Sequence, residues 1–274
     1  MKDNREKIIT ILIAATLIFS LFTIYAYSAK IPEMKVSAKS AALYDLQGES
    51  FIFTKNENIR LPMASTTKIM TAIVAIENLP LYKSVTVDDR AIGIEGSSIY
   101  LTKDETLTAE SLLYALMLRS ANDAAAALAY EICGSIEDFA VLMNEKAISL
   151  GLSDTNFENP HGLDSENHYT TAHDLALISA YAMQNPIFVE ICSTQKKEIS
   201  SSAQKRILLN HNKLLSMYEG CIGIKTGYTK KSGRSLASAA QKDGKTLVCV
   251  TINAPDDWND HKKLFDYGFS SPAA

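Results

Sequence analysis

The chain has 274 residues, a net charge of −4 and 47% apolar against 21% charged residues, the balance of a folded protein with a substantial core rather than a disordered tail or a coiled coil. Lys and Glu are mixed along most segments and no basic stripe forms, which argues against a nucleic-acid partner. At the N-terminus, Met1-Lys2-Asp3-Asn4-Arg5-Glu6-Lys7 leads into an almost uncharged stretch, residues 8–29, ending in small residues around Ala26-Tyr27-Ser28-Ala29. With no polar face along its length, this stretch reads as an export signal. It is also long enough to cross a bilayer, so cleavage and retention as a membrane anchor both fit the pattern. Residues 30–274 are expected to form one domain outside the cytoplasm.

Ser40-Ala41-Ala42-Leu43-Tyr44-Asp45 and Ser50-Phe51-Ile52-Phe53 flank Gln47-Gly48, the pattern of two antiparallel strands and a turn. Residues 69–76 are apolar on every side, which predicts a central buried helix. A second helix opens at Thr108 with Leu112, Leu113, Leu116 and Met117, breaks at Arg119-Ser120-Ala121-Asn122, and resumes from Ala124 to Ile132 with its end at Gly134. Ser135 with Asp138 and Thr171 with Asp174 are helix-start caps; Gly151 and Asn185-Pro186 are the matching stops. Beyond residue 195 the pattern turns to strands over 197–199, 206–208, 223–229, and 235–240 paired with 246–252 across Asp243-Gly244, with a closing helix over 259–267. Strands at both ends around a block of helices predict an α+β fold in which N- and C-terminal strands share one antiparallel sheet and the helical block packs on it.

Cys133, Cys192, Cys221 and Cys249 lie far apart, without the close pairing of a zinc site or redox dithiol. No metal or cofactor is implied. Export would permit disulfides, with three connectivities open, and the expectation is that most of the four are small buried core residues.

Ser65-Thr66-Thr67-Lys68 sits where Leu61-Pro62-Met63-Ala64 gives way to the apolar helix. Residues three apart share a helix face, which brings the Lys68 amine beside the Ser65 hydroxyl. The helix start offers unpaired N–H groups to a developing oxyanion, and burial favours a neutral lysine able to accept the serine proton. Alone, two fixed positions in four occur by chance in many chains. Ser120-Ala121-Asn122, between two apolar helices, and Lys225-Thr226-Gly227, on a predicted strand, supply two further elements. The three together, in this order, form the set of penicillin-binding proteins and class A β-lactamases.

With the stretches at 94–101, 159–164 and 223–229, the chain resembles the low-molecular-mass penicillin-binding proteins, the D-alanyl-D-alanine carboxypeptidases of serine peptidase family S11, from Ser40 to Phe269. The resemblance implies a β-lactamase/transpeptidase-like fold and a substrate in peptidoglycan stem peptides, with β-lactams as inhibitors and no cofactor. It implies Ser65 as nucleophile, Lys68 as general base and Ser120 as proton relay to the leaving amine. Asn122 would hold the peptide's amides, Lys225 and Thr226 the terminal carboxylate, and the Ser65 and Tyr228 N–H groups the oxyanion, with Gly227 leaving the strand clear. Three departures stand out. Lys231-Ser232-Gly233-Arg234 replaces the family's usual Ala-Gly. The sequence ends at Ala274 without the further β-rich domain of many members, which would leave membrane attachment to residues 8–29. Some relatives place an arginine near the substrate carboxylate late in the chain, and Pro255-Asp256-Asp257-Trp258-Asn259-Asp260-His261 has none. A β-lactamase, a DD-endopeptidase and a non-catalytic peptidoglycan-binding domain are the competing readings. Against the first stands Ser-Ala-Asn where class A enzymes favour Ser-Asp-Asn. His161 and His173 are not read as members of a Ser-His-Asp triad, since one lies in a Pro-Gly loop and the other in a capping turn. Trp258 is expected in the core.

Overall fold

A computed structural model describes residues 13–16, 20 and 34–270. The chain divides into two units, residues 1–35 and 36–274, and the elements that follow all lie in the second. The expectation for residues 8–29 falls almost entirely outside the described residues. Among the described residues no single helix is long and apolar enough to cross a membrane.

The N-terminal hairpin forms as expected from Ser40–Asp45 (β1) and Ser50–Lys55 (β2). The C-terminal strands are Cys221–Thr229 (β7), Gly233–Lys242 (β8) and Lys245–Ile252 (β9). The five make one antiparallel sheet in the order β2-β1-β9-β8-β7, so the two ends of the domain meet at its centre. β9 reads Lys-Thr-Leu-Val-Cys-Val-Thr-Ile and is buried on nearly every residue because both faces are covered. The C-terminal helix Asp257–Ser270 (α8) packs against it, as does the helix Ala172–Ala182 (α5). A strand covered on both sides reads as a continuous apolar run.

Between the hairpin and the C-terminal strands lies the helical block. Its centre is Lys68–Asn78 (α1), buried from Lys68 through Ala75. Around it sit Ala109–Leu118 (α2), Asn122–Cys133 (α3), Ile136–Ser149 (α4) and Pro186–Ser193 (α6). The caps read in the sequence are made: Thr108 accepts from Ser111 N–H, Ser135 from Asp138 N–H and Thr171 from Asp174 N–H, and Gly134 closes α3 in the left-handed region. Two short strands not foreseen, Ser84–Thr86 (β3) and Thr106–Thr108 (β4), pair with each other; three residues are too few for alternation to register.

Lys196–Ser200 (β5) and Lys205–Leu209 (β6) form a hairpin beside the helical block, followed by the single turn Leu214–Met217 (α7). Arg206 of β6 makes a forked ion pair with Glu105, at 2.5 and 3.0 Å, and donates to the Ile99 and Tyr100 carbonyls. Glu105 is buried, so this pair fixes the hairpin against the loop that precedes β4. α8 starts two residues earlier than its apolar spacing predicts. Asp260 accepts from the Ser37 N–H and hydroxyl and from the Ala38 N–H at 2.7–3.0 Å, and a helix start held by polar contacts leaves no mark in hydrophobic periodicity. All four cysteines are free thiols, with Cys192 and Cys249 buried and Cys133 and Cys221 partly so.

Candidate active site

Ser65 lies in a 3-10 turn, Ala64–Thr67, that runs into α1. In such a turn side chains three apart eclipse one another, and Lys68 Nζ stands 3.1 Å from Ser65 Oγ. Ala64, just before the serine, has φ +49°, and Ser120 has φ +59°. Both are non-glycine residues in the left-handed region, backbone strain of the kind that gathers at functional sites.

Lys68 is fully buried. Its Nζ also contacts the His161 carbonyl oxygen and Asn122 Oδ1, the latter at 2.7 Å. Both are acceptors only. A neutral amine donates its two N–H groups to them, and its lone pair is then left for the Ser65 hydroxyl. Burial lowers the Lys68 pKa well below that of a free lysine, with the Lys225 charge adding to the effect. The geometry and the electrostatics favour the same state, a lysine that accepts a proton from Ser65.

Asn122 is the first residue of α3. Its N–H donates to the Ser97 carbonyl at 2.7 Å and its Nδ2 to the Glu95 carbonyl at 2.5 Å. With Oδ1 on Lys68, both ends of the amide are engaged and the residue is buried. The next residue, Asp123, is also buried and accepts from the Ser98 hydroxyl at 2.6 Å and from the Ile99 and Leu101 N–H groups. It shapes the 97–101 loop beside the site. An acidic side chain following the Ser-x-Asn element is the sequence signal for it.

On the facing side, β7 presents Lys225-Thr226-Gly227-Tyr228. A Cβ on Gly227 would stand 3.1 Å from the Ser65 backbone nitrogen and 3.2 Å from the Ala64 Cβ, so glycine is what lets the strand lie against the nucleophile's turn. The N–H groups at the start of that turn have no intrahelical acceptors, and the Ser65 nitrogen is the one that lies against Gly227. Lys225 is buried, donates to the Thr226 carbonyl at 2.9 Å, and has its pKa pushed down to about 7 by burial. A cavity of about 380 Å³ opens between the two sides, and Ser65, Ser120, Thr226, Gly227 and Tyr228 are on its wall. Lys68, Asn122 and Lys225 lie behind that wall.

His161 takes part through its backbone, and burial, with Lys68 nearby, pushes its imidazole pKa down to about 3. His168 holds the Thr67 hydroxyl at 2.7 Å and accepts from the Glu158 N–H at 3.0 Å; burial lowers its pKa to about 4. Neither ring touches Ser65, and His173 pairs with Asp174 instead. Gly162 lies so near the nucleophile's turn that a Cβ there would be 2.0 Å from the Ala64 carbonyl oxygen. Trp258, expected in the core, is on the cavity wall with Asp257 and Arg234.

Comparisons with known proteins identify related sequences and folds. Residues 26–256 match the model of the S11 peptidase family, described as D-alanyl-D-alanine carboxypeptidase. D-alanyl-D-alanine carboxypeptidase DacF of Bacillus subtilis is 34% identical over 87% of this chain, and the match spans 64% of that relative's length. DacB2 of Mycobacterium tuberculosis, which bears the same description, is 34% identical over 85% of this chain and 82% of its own. Among solved structures, the Streptomyces K15 DD-transpeptidase superposes with a TM-score of 0.82 at 31% identity, covering 88% of this chain and all of that one. A D-alanyl-D-alanine carboxypeptidase of M. tuberculosis gives 0.84 at 32% identity, covering 88% and 94%.

Proposed function

The chain belongs to the D-alanyl-D-alanine carboxypeptidase family of serine peptidases, S11, and we propose that it removes the terminal D-alanine from peptidoglycan stem peptides through an acyl-enzyme on Ser65. The observation that carries this reading is the 3.1 Å contact between Ser65 Oγ and a fully buried Lys68 Nζ whose other partners only accept.

Ser65 Oγ attacks the carbonyl carbon of the last peptide bond as its proton passes to Lys68 Nζ. The Ser65 and Tyr228 N–H groups hold the oxyanion, and each such donor is worth roughly 3 kcal/mol of barrier. The C–N bond breaks, the leaving amine takes a proton through Ser120, and D-alanine departs. Water attacks the resulting ester, Ser65 Oγ recovers its proton and the shortened peptide is released. Asn122 positions Lys68 throughout. Thr226 faces the substrate, and Lys225 behind it adds positive charge to the carboxylate side.

β-Lactams present a strained amide to the same serine. Among the described residues Asp257 is the one carboxylate on the cavity wall, and Arg234 holds it, which favours a slowly hydrolysed penicillin adduct over the rapid turnover of a β-lactamase. The substrate places the enzyme outside the cytoplasm, with residues 8–29 directing export and, if uncleaved, anchoring it.

An intact-mass time course with benzylpenicillin, run with D-alanine release from a diacetyl-L-lysyl-D-alanyl-D-alanine substrate, tests the proposal. A long-lived adduct on Ser65, lost in Ser65→Ala together with D-alanine release, is expected. Rapid drug turnover without an adduct would favour a β-lactamase, and no reaction with drug or peptide would remove the catalytic reading.

A further inference from the structure

We propose that Arg234, on β8, is the cation that grips the substrate's terminal carboxylate, held for that task by Asp257 and Trp258 at the start of α8. The proposal rests on the acyl-enzyme reading above and names a binding residue for it.

The peptide bond to be cut is one residue from a free carboxylate, so a cation within reach of Thr226 is required on the cavity wall. Lys225 is buried, is absent from that wall and donates to its own strand. Among the described residues the wall that holds Ser65 and Thr226 carries both Arg234 and Lys213, and of the two it is Arg234 that is on the strand paired with β7. In the β7–β8 ladder it pairs with Tyr228 while Thr226 pairs with Leu236, so Arg234 stands diagonal to Thr226 on the same sheet face, a separation that a long side chain spans.

The guanidinium is fixed from behind. Nε and Nη2 both donate to Asp257 Oδ1, at 3.0 and 2.8 Å, and Cζ lies 5.7 Å from the centre of the Trp258 ring. Asp257 is buried, whereas the Arg234 side chain keeps 43% of its surface. One edge of the fork is therefore held by a single carboxylate oxygen, and among the described residues Nη1 has no hydrogen-bond partner. A guanidinium has five N–H donors in a planar array suited to a carboxylate and stays charged at any working pH. Lys225, with its pKa near 7, would lose charge across the neutral range. An ordinary surface ion pair between β8 and α8 is the plain alternative. It would account for the contact with Asp257 but would not make the enzyme care whether its ligand carries a carboxylate.

That difference is the test. Acylation rates with benzylpenicillin and with its methyl ester, which lacks the carboxylate, would be measured by intact mass for the wild type, Arg234→Ala and Arg234→Lys, with thermal unfolding of each. The wild type should prefer the acid. A charged hydrogen-bond pair sets an acid-to-ester ratio that falls by about tenfold or more in Arg234→Ala, and by roughly threefold in Arg234→Lys, which keeps charge without the fork. Should Arg234→Ala not fold, the lysine variant decides. A wild type that reacts while both variants keep its ratio, even with lowered melting temperatures, would overturn the role of Arg234 and leave the acyl-enzyme intact. A wild type inert to both ligands would instead bring down the acyl-enzyme reading.

Discussion

Lys68 Nζ and the carbonyl oxygen of His161, residues 93 apart in the sequence, are in direct hydrogen-bond contact inside the protein. Together with Asn122 Oδ1 at 2.7 Å, that carbonyl takes two of the directions available to the lysine nitrogen. The third points at Ser65. The base is thus aimed by a loop and a helix start. Lys68→Arg retains a cation able to satisfy both acceptors but cannot accept a proton. Penicillin acylation by this variant should fall by at least ~100-fold with the fold kept, as read by adduct formation alongside circular dichroism. A loss of less than tenfold would mean that Lys68 is not the base.

Asn122→Asp puts a carboxylate where a neutral amide oxygen now contacts Lys68. An added negative charge favours the protonated amine and raises the Lys68 pKa, opposing the burial that lowers it. Acylation depends on the neutral amine, so the rising limb of its pH profile should move to higher pH. The variant is expected to be most impaired near neutrality and to recover in part towards pH 9. A uniform loss at every pH would show that Asn122 acts through something other than the charge state of Lys68.

Much of this site is legible in the sequence, and what is hidden there is hidden for identifiable reasons. Ser65 and Lys68 follow from the spacing of three, and the Ser120-Ala121-Asn122 break is visible because polar residues interrupt two apolar helices. The His161 carbonyl carries no sequence signature, since a main-chain acceptor is the same in every residue. The resemblance gives Asn122 as a peptide-binding amide, and its contacts with Lys68 and the Glu95 carbonyl are long-range pairings that no local spacing encodes. Residues 255–261 offer no arginine for a substrate carboxylate. The structure instead has Asp257 and Trp258 of that stretch holding an arginine from the neighbouring strand, a pairing across β8 and α8 that no local spacing encodes. For the fold, alternation and caps give the hairpins and helix starts. β3 and β4 are missed for shortness, and α8 is predicted short because the polar contacts of Asp260 open it.

Gly162 separates strain from steric conflict. Its φ is +85° and a Cβ would lie 2.0 Å from the Ala64 carbonyl oxygen, whereas Gly151, at φ +75°, has open space around that position. Gly151→Ala should cost about 1–2 kcal/mol, the left-handed penalty alone. Gly162→Ala should cost about 3 kcal/mol or more, because backbone must also move. It should slow acylation as well, since Ala64 precedes the nucleophile. Melting temperatures and adduct rates for the two variants check this, and equal effects would show that the Gly162 loop yields freely.

Lys225 sets a pH dependence of stability with the same sign as that of a paired carboxylate, moved to the neutral and alkaline range. Burial holds its folded-state pKa near 7, while in the unfolded chain it titrates near the ordinary lysine value of about 10.4. Between those limits the unfolded chain binds more protons, and stability therefore rises with pH. The gain is complete above the unfolded pKa and is lost as pH falls through about 7. Lys225→Met removes this contribution while filling similar space. Its melting temperature relative to the wild type should be highest near pH 6–7 and decline by a few degrees or more towards pH 10, as roughly 2–4 °C accompanies each kcal/mol in a domain of this size. Acylation should weaken in the same variant, because the positive charge behind Thr226 is gone. A melting-temperature difference that stays constant from pH 6 to pH 10 would mean that Lys225 keeps its ordinary proton affinity in the folded state, and the positive charge on the carboxylate side of the cleft would then persist through the alkaline range.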